Sequence, residues 1–514
     1  MKRKHNLLTS LLPNRATQRK RYLLLLAGLL YTIGIMLFCA GSSPLIDNMK
    51  TDSSVFFTIG RSMVSGKIPY LDLFDHKGWY IYFFNYLAAC LDSETTFGLF
   101  IIECLFMTVN SILFYKIADL IFGTQVSIFY KCFCSGTMLL FTLNSLTYPG
   151  GNCIETYGLT FQLISIYLII RYYNRKDVSH PPVFMFFHGI CAGVMLGLRA
   201  NMVAMWGGIA LILLIRLLIY KKYKSLVYNL FLGIAGVFVG LLPMILYCLK
   251  THSLAAMIQQ SLFFNLEYSS EVSLLRSLLG LFTNFNSLFI LLGSIFSLII
   301  IKYSKTSRSF QAMYLLSLLL SLFSVSLSGR NYGHYYEYII PFFLPAALFI
   351  TKKAFSFFKS NTFYPKLLAT SIFALTLCFN RQTPARLLTL TGAKKISQPA
   401  DSMAKLYYND YSDKKTMLTV NNKCIFYNKF NLIPEEKFFY IPAINYHTFP
   451  NAIDAQAASV LSGKNDIIIL SYRNYNKRQI FPYGIKNNEI LQYLSEHYQM
   501  VSEQNHIQMY IKNN

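Results

Sequence analysis

Apolar residues in this chain gather in runs of about 20, the length at which a helix crosses the hydrocarbon core of a bilayer. Eleven such runs are predicted as spanning helices: 22–41, 96–118, 126–146, 157–173, 183–199, 203–220, 226–249, 284–303, 309–328, 335–351 and 364–380. Only the residues around Arg199, Ala200 and Asn201 separate the fifth from the sixth. A basic stretch precedes the first run as in a signal peptide, but Tyr22–Gly41 is long enough to span and is read as a retained helix.

Two segments have a mixed pattern. Trp79–Leu91 (WYIYFFNYLAACL) is aromatic and too short to span, and predicts an interfacial helix at headgroup level. Thr251–Leu281, with Asn265, Glu267 and Glu271, predicts one or two half-buried helices in an outer loop. From about Arg381 the pattern changes again. Strand-like pieces at Thr416–Val420, Phe438–Ile441 and Asp466–Ser471 interleave with helical runs around Ala452–Leu461 and Asn488–His497. The predicted fold class is a polytopic α-helical membrane protein of about 11 transmembrane helices with a small C-terminal α/β extracytoplasmic domain. Its parts are a cytoplasmic basic tail (1–21), a transmembrane domain (22–380) with a first outer loop (42–95), and the C-terminal domain (381–514). That last domain has neither a glycine-rich phosphate loop nor metal-spaced His/Cys residues, and reads as a structural cap or an acceptor-recognition module.

Composition agrees. Of 514 residues, 54% are hydrophobic and 14% charged, against about a quarter charged in soluble domains. A net charge of +24 would suit nucleic acid, but the Lys and Arg residues cluster between apolar runs, where they set membrane orientation instead. With the N-terminus inside, the inner connections and their flanks hold Arg171, Arg175, Lys176, Lys221, Lys222, Lys224, Lys302, Lys305, Arg308, Lys352, Lys353 and Lys359. An odd number of spans then puts the first loop and the C-terminal domain on the same outer side. The ten cysteines lie mostly in apolar segments, and Cys424 is alone in the polar C-terminal region, so no disulfide framework is expected.

The candidate chemistry sits in the first outer loop, where Asp47, Asp52, Asp72, Asp75, His76 and Lys77 fall between Ser42 and Tyr80. The inner loops are short and carry no nucleotide-binding pattern, so an enzyme working outside needs an activated donor that arrives with the membrane. A polyprenyl-phosphate-linked sugar is such a donor. Transfer from it needs a carboxylate to take the acceptor's proton and cations to stabilise the departing phosphate. Asp52 is the leading base and Asp47 the runner-up; alternatively Asp52 caps a helix starting at Ser53, a contribution of about 1 kcal/mol. Lys77 and His76 are candidate phosphate contacts, joined at the outer face by Arg199 and by the RNYGHYYE cluster, with Arg330 and His334 foremost. Asp72 and Asp75 either order the loop, act directly, or form a paired site for a divalent cation. Glu155 and Tyr335 are candidate acceptor contacts. Glu103 and Lys131, inside predicted spans, are read as a structural pair or as lining of a lipid groove.

These residues carry a resemblance. Asp52, the stretch PYLDLFDHKGWY with Asp72, Asp75, His76, Lys77 and Gly78, the segment GLRAN (Gly197–Asn201) and GRNYGHYYEYIIP (Gly329–Pro341) resemble the GT-C glycosyltransferases of the bacterial dolichyl-phosphate-mannose–protein mannosyltransferase-like group. That group includes relatives of the lipid A aminoarabinose transferase. Trp79 departs from the pattern, standing where Pro is common. The resemblance covers roughly the first three quarters of the chain. It implies an inverting transfer, often metal-free, with Asp52 as base and no certain cofactor beyond the polyprenyl-phosphate-linked sugar, at a multi-pass site in the bacterial cytoplasmic membrane. The acceptor would be an envelope glycan, lipid or protein; membrane lipids are the other partners and nucleic acid is not one. The competing readings are a transporter or flippase of lipid-linked saccharides, and an O-antigen polymerase or ligase. No internal repeat favours the transporter.

Overall fold

The computed structural model describes residues 15–45, 49, 51–123, 126, 128–144, 146–175, 177–270, 279, 285–304, 306–327, 332–357, 380, 382–392, 399–421, 424–441 and 449–513. Among the described residues, helices form where the apolar runs fall. In chain order they are α1 Arg15–Cys39, α2 Thr51–Val64, α3 Trp79–Leu91, α4 Phe97–Phe122, α5 Ile128–Thr142, α6 Ile154–Asn174 and α7 Pro182–Leu198. A 3₁₀ turn, Ala200–Val203, leads into α8 Ala204–Ile219, then come α9 Tyr223–Lys250, α10 Leu254–Ile258, a π-helical turn Gln259–Phe263 and α11 Phe264–Ser270. After α12 Phe285–Tyr303 and α13 Arg308–Ser326, a long 3₁₀ segment Gly333–Phe343 continues into α14 Leu344–Phe357. Helix occupies each of the first ten predicted spans; the eleventh, 364–380, lies outside the described residues except for Asn380. Phe97–Phe122, Ala200–Ile219, Tyr223–Lys250 and Arg308–Ser326 are long and apolar enough to cross a membrane, and Leu26–Cys39, Pro182–Leu198 and Leu288–Tyr303 are shorter apolar helices. The chain is a helical membrane protein. Arg15 already belongs to α1, so the predicted basic tail is helical in its last turns.

Helices α7 and α9 pack backbone to backbone. A Cβ added at Gly193 would lie 2.4 Å from the Val237 carbonyl oxygen, and one at Gly240 would lie 2.4 Å from that of Ile190. Gly189 and Gly236 continue the seam. In lipid no hydrophobic effect drives helices together, so close backbone contact at small residues supplies the packing. The seam also fixes the C-terminal end of α7: Gly197 rests on the Tyr80 ring, and the Tyr80 hydroxyl donates to the Gly240 carbonyl.

Helix α3 occupies the predicted range and is packed inside the protein: Trp79, Tyr80, Ile81, Tyr82, Phe84, Asn85, Ala88 and Ala89 are buried among α2, α4 and α7. Its polar groups explain why. The Tyr82 hydroxyl and the Asn85 amide find partners inside the protein, and Gly60 lets α2 approach the Asn85 backbone.

The C-terminal region begins with α15 Gln382–Leu390 and α16 Pro399–Asp410. It then alternates β1 Met417–Val420, α17 Ile425–Lys429, α18 Pro450–Leu461, β2 Ile467–Ser471, α19 Asn487–His497, β3 Tyr498–Gln504 and β4 Ile507–Lys512. The sheet order is β1-β2-β4-β3, with β1 parallel to β2 and the other pairs antiparallel. Two expectations change here. Phe438–Ile441 is irregular rather than a strand, because its groups serve other partners: the Phe439 carbonyl accepts from Thr419 and the Phe438 ring packs on Phe74. The β3–β4 hairpin was not predicted; Asn505 and His506 close it at φ 48° and 66°, the two left-handed residues of a type I′ turn.

This region is docked on α2. Arg61 is buried, donating to the Tyr427 carbonyl at 2.9 Å and to Asn431. Burial pulls its guanidinium down to about 10, which leaves it cationic at neutral pH. Asn428 donates to the Ser54 carbonyl at 3.1 Å, and the Phe74 amide donates to the Lys437 carbonyl at 2.9 Å. The first loop and the C-terminal region therefore lie together.

If the glycine seam holds α7 in place, Gly193→Leu destabilises the chain by about 1–3 kcal/mol through overpacking. Gly28→Leu, where a Cβ would meet nothing within 4 Å, leaves the thermal midpoint in detergent unchanged.

Candidate active site

The loop between α2 and α3 is shaped by its own polar atoms. Tyr70 takes a left-handed conformation at φ 71°, and its amide donates to the Leu73 carbonyl at 2.9 Å. Asp72, exposed, accepts the Ile68 amide at 2.6 Å, and the Asp72 amide returns a bond to the Ile68 carbonyl at 2.9 Å. Asp72 thus closes the loop. From the segment after α9, Gln260 donates to the Tyr70 carbonyl at 2.7 Å. Gln260 lies in the π-helical turn, the kind of irregularity that re-aims side chains.

Asp75 is buried, 2% exposed, and accepts three bonds: from Tyr82 at 2.7 Å, from Tyr440 at 2.5 Å and from the His76 amide at 2.7 Å. Beside it, His76 Nδ1 lies 2.8 Å from Asn265 Oδ1, while the Asn265 amide nitrogen donates to the His76 carbonyl at 2.7 Å. Asn265 therefore presents oxygen to the ring, Nδ1 carries the proton, and Nε2 accepts from Lys77 Nζ at 2.6 Å. Burial, assisted by the Lys77 charge and opposed by Asp75, pulls His76 down to about 4, so it is a neutral acceptor at physiological pH. Lys77 keeps two further N–H donors.

Gly78 joins this loop to the end of α7. Its amide donates to the Leu198 carbonyl at 3.1 Å, and a Cβ there would stand 2.3 Å from the Gly197 carbonyl oxygen. Lys77 precedes that bond and Arg199 follows it, so two cations 122 positions apart (199 − 77) flank one backbone contact. Arg199 leaves α7 in extended conformation, donates to Glu155 at 2.9 Å, and lies 4.1 Å over the Tyr335 ring. The His334 ring meets Tyr335 at 4.6 Å and stacks on Tyr332 at 5.7 Å. Glu155, in the first turn of α6, is itself buried. Its neighbour Thr156 donates to Glu337 at 2.9 Å, which turns that residue of the RNYGHYYE cluster inward.

Asp52 is in the first turn of α2, near the positive end of the helix. The helix already includes Thr51, so the expectation of a cap before Ser53 is corrected: Asp52 is a helical residue. Its side chain is exposed, and among the described residues it makes no hydrogen bond or ion pair. It lies near enough to act electrostatically on His76, Cys153 and Tyr440. What holds it there is Asn152, a residue the sequence reading passed over. Asn152 donates to the Ser53 carbonyl at 3.2 Å and hydroxyl at 3.0 Å, forms a reciprocal amide pair with Asn85 at 2.9 Å, and accepts from Tyr157 at 3.1 Å. The Pro149–Gly150–Gly151–Asn152 turn was the available signal, and Asn152 sits in it at φ 49°.

Glu103 and Lys131 do not pair with each other. Glu103 accepts from Ser42 and from the Asn152 amide at 2.6 Å, and Lys131 pairs with Asp119. Asp47 and Arg330 lie outside the described residues. Among the described residues no group of three or more His, Cys, Asp or Glu is placed to hold a metal ion.

The comparisons with known proteins follow the fold. The crystal structure of ArnT from Cupriavidus metallidurans bound to undecaprenyl phosphate superimposes at a TM-score of 0.59 with 10% identity, covering 96% of this chain and 98% of that one. The apo state of the same protein gives 0.58 and 12%, with the same coverage. The apo-form and zinc- and sulfate-bound crystals of the Archaeoglobus fulgidus oligosaccharyltransferase score lower, the latter 0.47 at 10% identity over 95% of this chain and 73% of that one. No curated protein matches the sequence. The profile of a family described as the putative competence-induced protein Ccs4 N-terminal domain matches residues 14–362, more than half of the chain. The protein therefore belongs to this Ccs4 N-terminal-domain family, and its fold is that of the ArnT structures.

Proposed function

We propose that this chain is a glycosyltransferase that moves a sugar from a polyprenyl-phosphate donor to a cell-envelope acceptor at the outer face of the bacterial cytoplasmic membrane. The observation that carries the reading is the Gly78–Leu198 contact, which brings the backbones that carry Lys77 and Arg199 together, with Asp52 within electrostatic reach of His76, the residue before Lys77. The fold supports it, since the ArnT neighbour was crystallised with undecaprenyl phosphate.

In the reaction, the Asp52 carboxylate takes the proton of the acceptor hydroxyl. The hydroxyl oxygen forms a bond to the anomeric carbon as the bond from that carbon to the phosphate oxygen breaks, and the phosphate departs with the electron pair. Attack opposite the leaving group inverts the anomeric configuration. Lys77 and Arg199 stabilise the charge gathering on the phosphate, with His334 and Arg330 as further contacts. Neutral His76 steers the Lys77 ammonium without adding charge. Glu155 and Tyr335 act in this reading by orienting Arg199 from below and from the side, in place of the acceptor contact expected from sequence. Asp72 orders the loop. The N-terminus faces the cytoplasm, and the first loop and C-terminal domain face outward.

Two experiments in proteoliposomes test this. Asp52→Asn reduces transfer from a polyprenyl-phosphate sugar by about 10²–10⁴-fold, the range for a positioned general base; full activity would remove Asp52 from that role. Wild-type chain that translocates the donor without transferring sugar would instead establish a flippase. Lys77→Ala raises the donor KM at least tenfold, and Arg199→Lys behaves like Arg199→Ala, because an ammonium cannot both meet Glu155 and lie flat on Tyr335.

A further inference from the structure

Asp75 takes no part in the steps above, yet among the described residues it is the most enclosed carboxylate of the first loop. A buried carboxylate is costly unless hydrogen bonds satisfy it. Tyr82 serves Oδ2, while Tyr440 and the His76 amide share Oδ1. Tyr440 comes from the C-terminal region, 365 residues away in sequence and beyond the 14–362 segment that the family profile matches. It arrives as part of a registered contact. The Phe74 amide donates to the Lys437 carbonyl at 2.9 Å, and the Phe74 ring packs on Phe438 at 5.2 Å and stacks on Phe449 at 4.9 Å. Aromatic burial alone would tolerate some slippage; a tyrosine hydroxyl aimed at one carboxylate oxygen fixes the position. From that oxygen the chain of contacts runs through the His76 amide to the imidazole, and from Nε2 to the Lys77 ammonium. Tyr82 cannot take over, because its hydroxyl is engaged on Oδ2 and also accepts the Lys77 amide at 3.2 Å.

We infer that Tyr440 is a positioning residue for the donor phosphate: through Asp75 it holds His76 and Lys77 in place, so that the phosphate site is completed by the C-terminal region and not by the membrane part alone. The inference rests on the reading of Lys77 as a phosphate contact. Without the Tyr440 hydroxyl, Oδ1 must turn or admit water, the His76 amide loses its fixed acceptor, and the Lys77 ammonium is no longer held on its line.

The test uses the full chain in lipid nanodiscs, with undecaprenyl phosphate as the probe and the thermal midpoint recorded for each variant. Tyr440→Phe, which removes only the hydroxyl, raises the Kd about tenfold and leaves the thermal midpoint near wild type. Adding Asp75→Asn to Tyr440→Phe weakens binding no further than Asp75→Asn alone, since both break the same link. Tyr427→Phe is the structural control. Its hydroxyl bonds the Met417 carbonyl and Thr419 amide inside the C-terminal region, so its loss lowers the thermal midpoint while the folded fraction binds normally. If Lys77→Ala leaves the Kd unchanged, the phosphate reading fails and this inference with it. If Lys77→Ala weakens binding and Tyr440→Phe does not, or if Tyr440→Phe weakens it only as much as it unfolds the chain, the positioning role alone is overturned.

Discussion

One backbone hydrogen bond organises the candidate site of this protein, from the Gly78 amide to the Leu198 carbonyl. It forms only because residue 78 has no Cβ, which would stand 2.3 Å from the Gly197 oxygen, well inside any tolerable contact. Lys77 and Arg199 are the residues next to it. Lys77 is presented on one side and Arg199 on the other, and each is steered by a neighbour, neutral His76 for the lysine and Glu155 with Tyr335 for the arginine. The position of Leu198 is in turn secured by the glycine seam between α7 and α9. A close-packed pair of membrane helices is thus converted into the placement of two charges.

The carboxylates divide by how they are satisfied. Asp75 and Glu155 are buried and held by named donors, and Glu337 is buried with one oxygen accepting from Thr156, which makes them parts of the frame. Asp52 is exposed in the first turn of α2, and its location is imposed through the backbone and hydroxyl of Ser53 by the Asn152–Asn85 pair. A carboxylate carried on a fixed backbone, its oxygens without a hydrogen bond among the described residues, is suited to proton transfer, whereas one locked by three donors is suited to holding others. In the proposed mechanism that contrast separates the base from its scaffolding.

Much of this could be read from the chain itself. Helix positions followed from the length of apolar runs, because backbone in lipid must satisfy its own hydrogen bonds. The loop with Asp52 and the DHKG stretch stood out because ionisable residues are scarce elsewhere. What sequence did not reveal were relations between distant segments. Tyr440 has no local feature that points to Asp75, and Phe438–Ile441, with its alternating aromatic look, reads as a strand until its side chains are seen to reach the first loop. Helix α3 reads as interfacial because Trp, Tyr and Phe are the belt residues of membranes; its burial depends on partners for Tyr82 and Asn85 that lie on the first loop and in the turn before α6. The β3–β4 hairpin escaped because Asn505–His506 makes its turn without glycine.

The most direct measurement is a structure of the full chain with undecaprenyl phosphate bound. The account predicts that the phosphate lies against the Lys77 ammonium and the Arg199 guanidinium, on the side of the Gly78–Leu198 contact that faces Asp52. A phosphate held elsewhere, with Lys77 and Arg199 both out of reach, would contradict it.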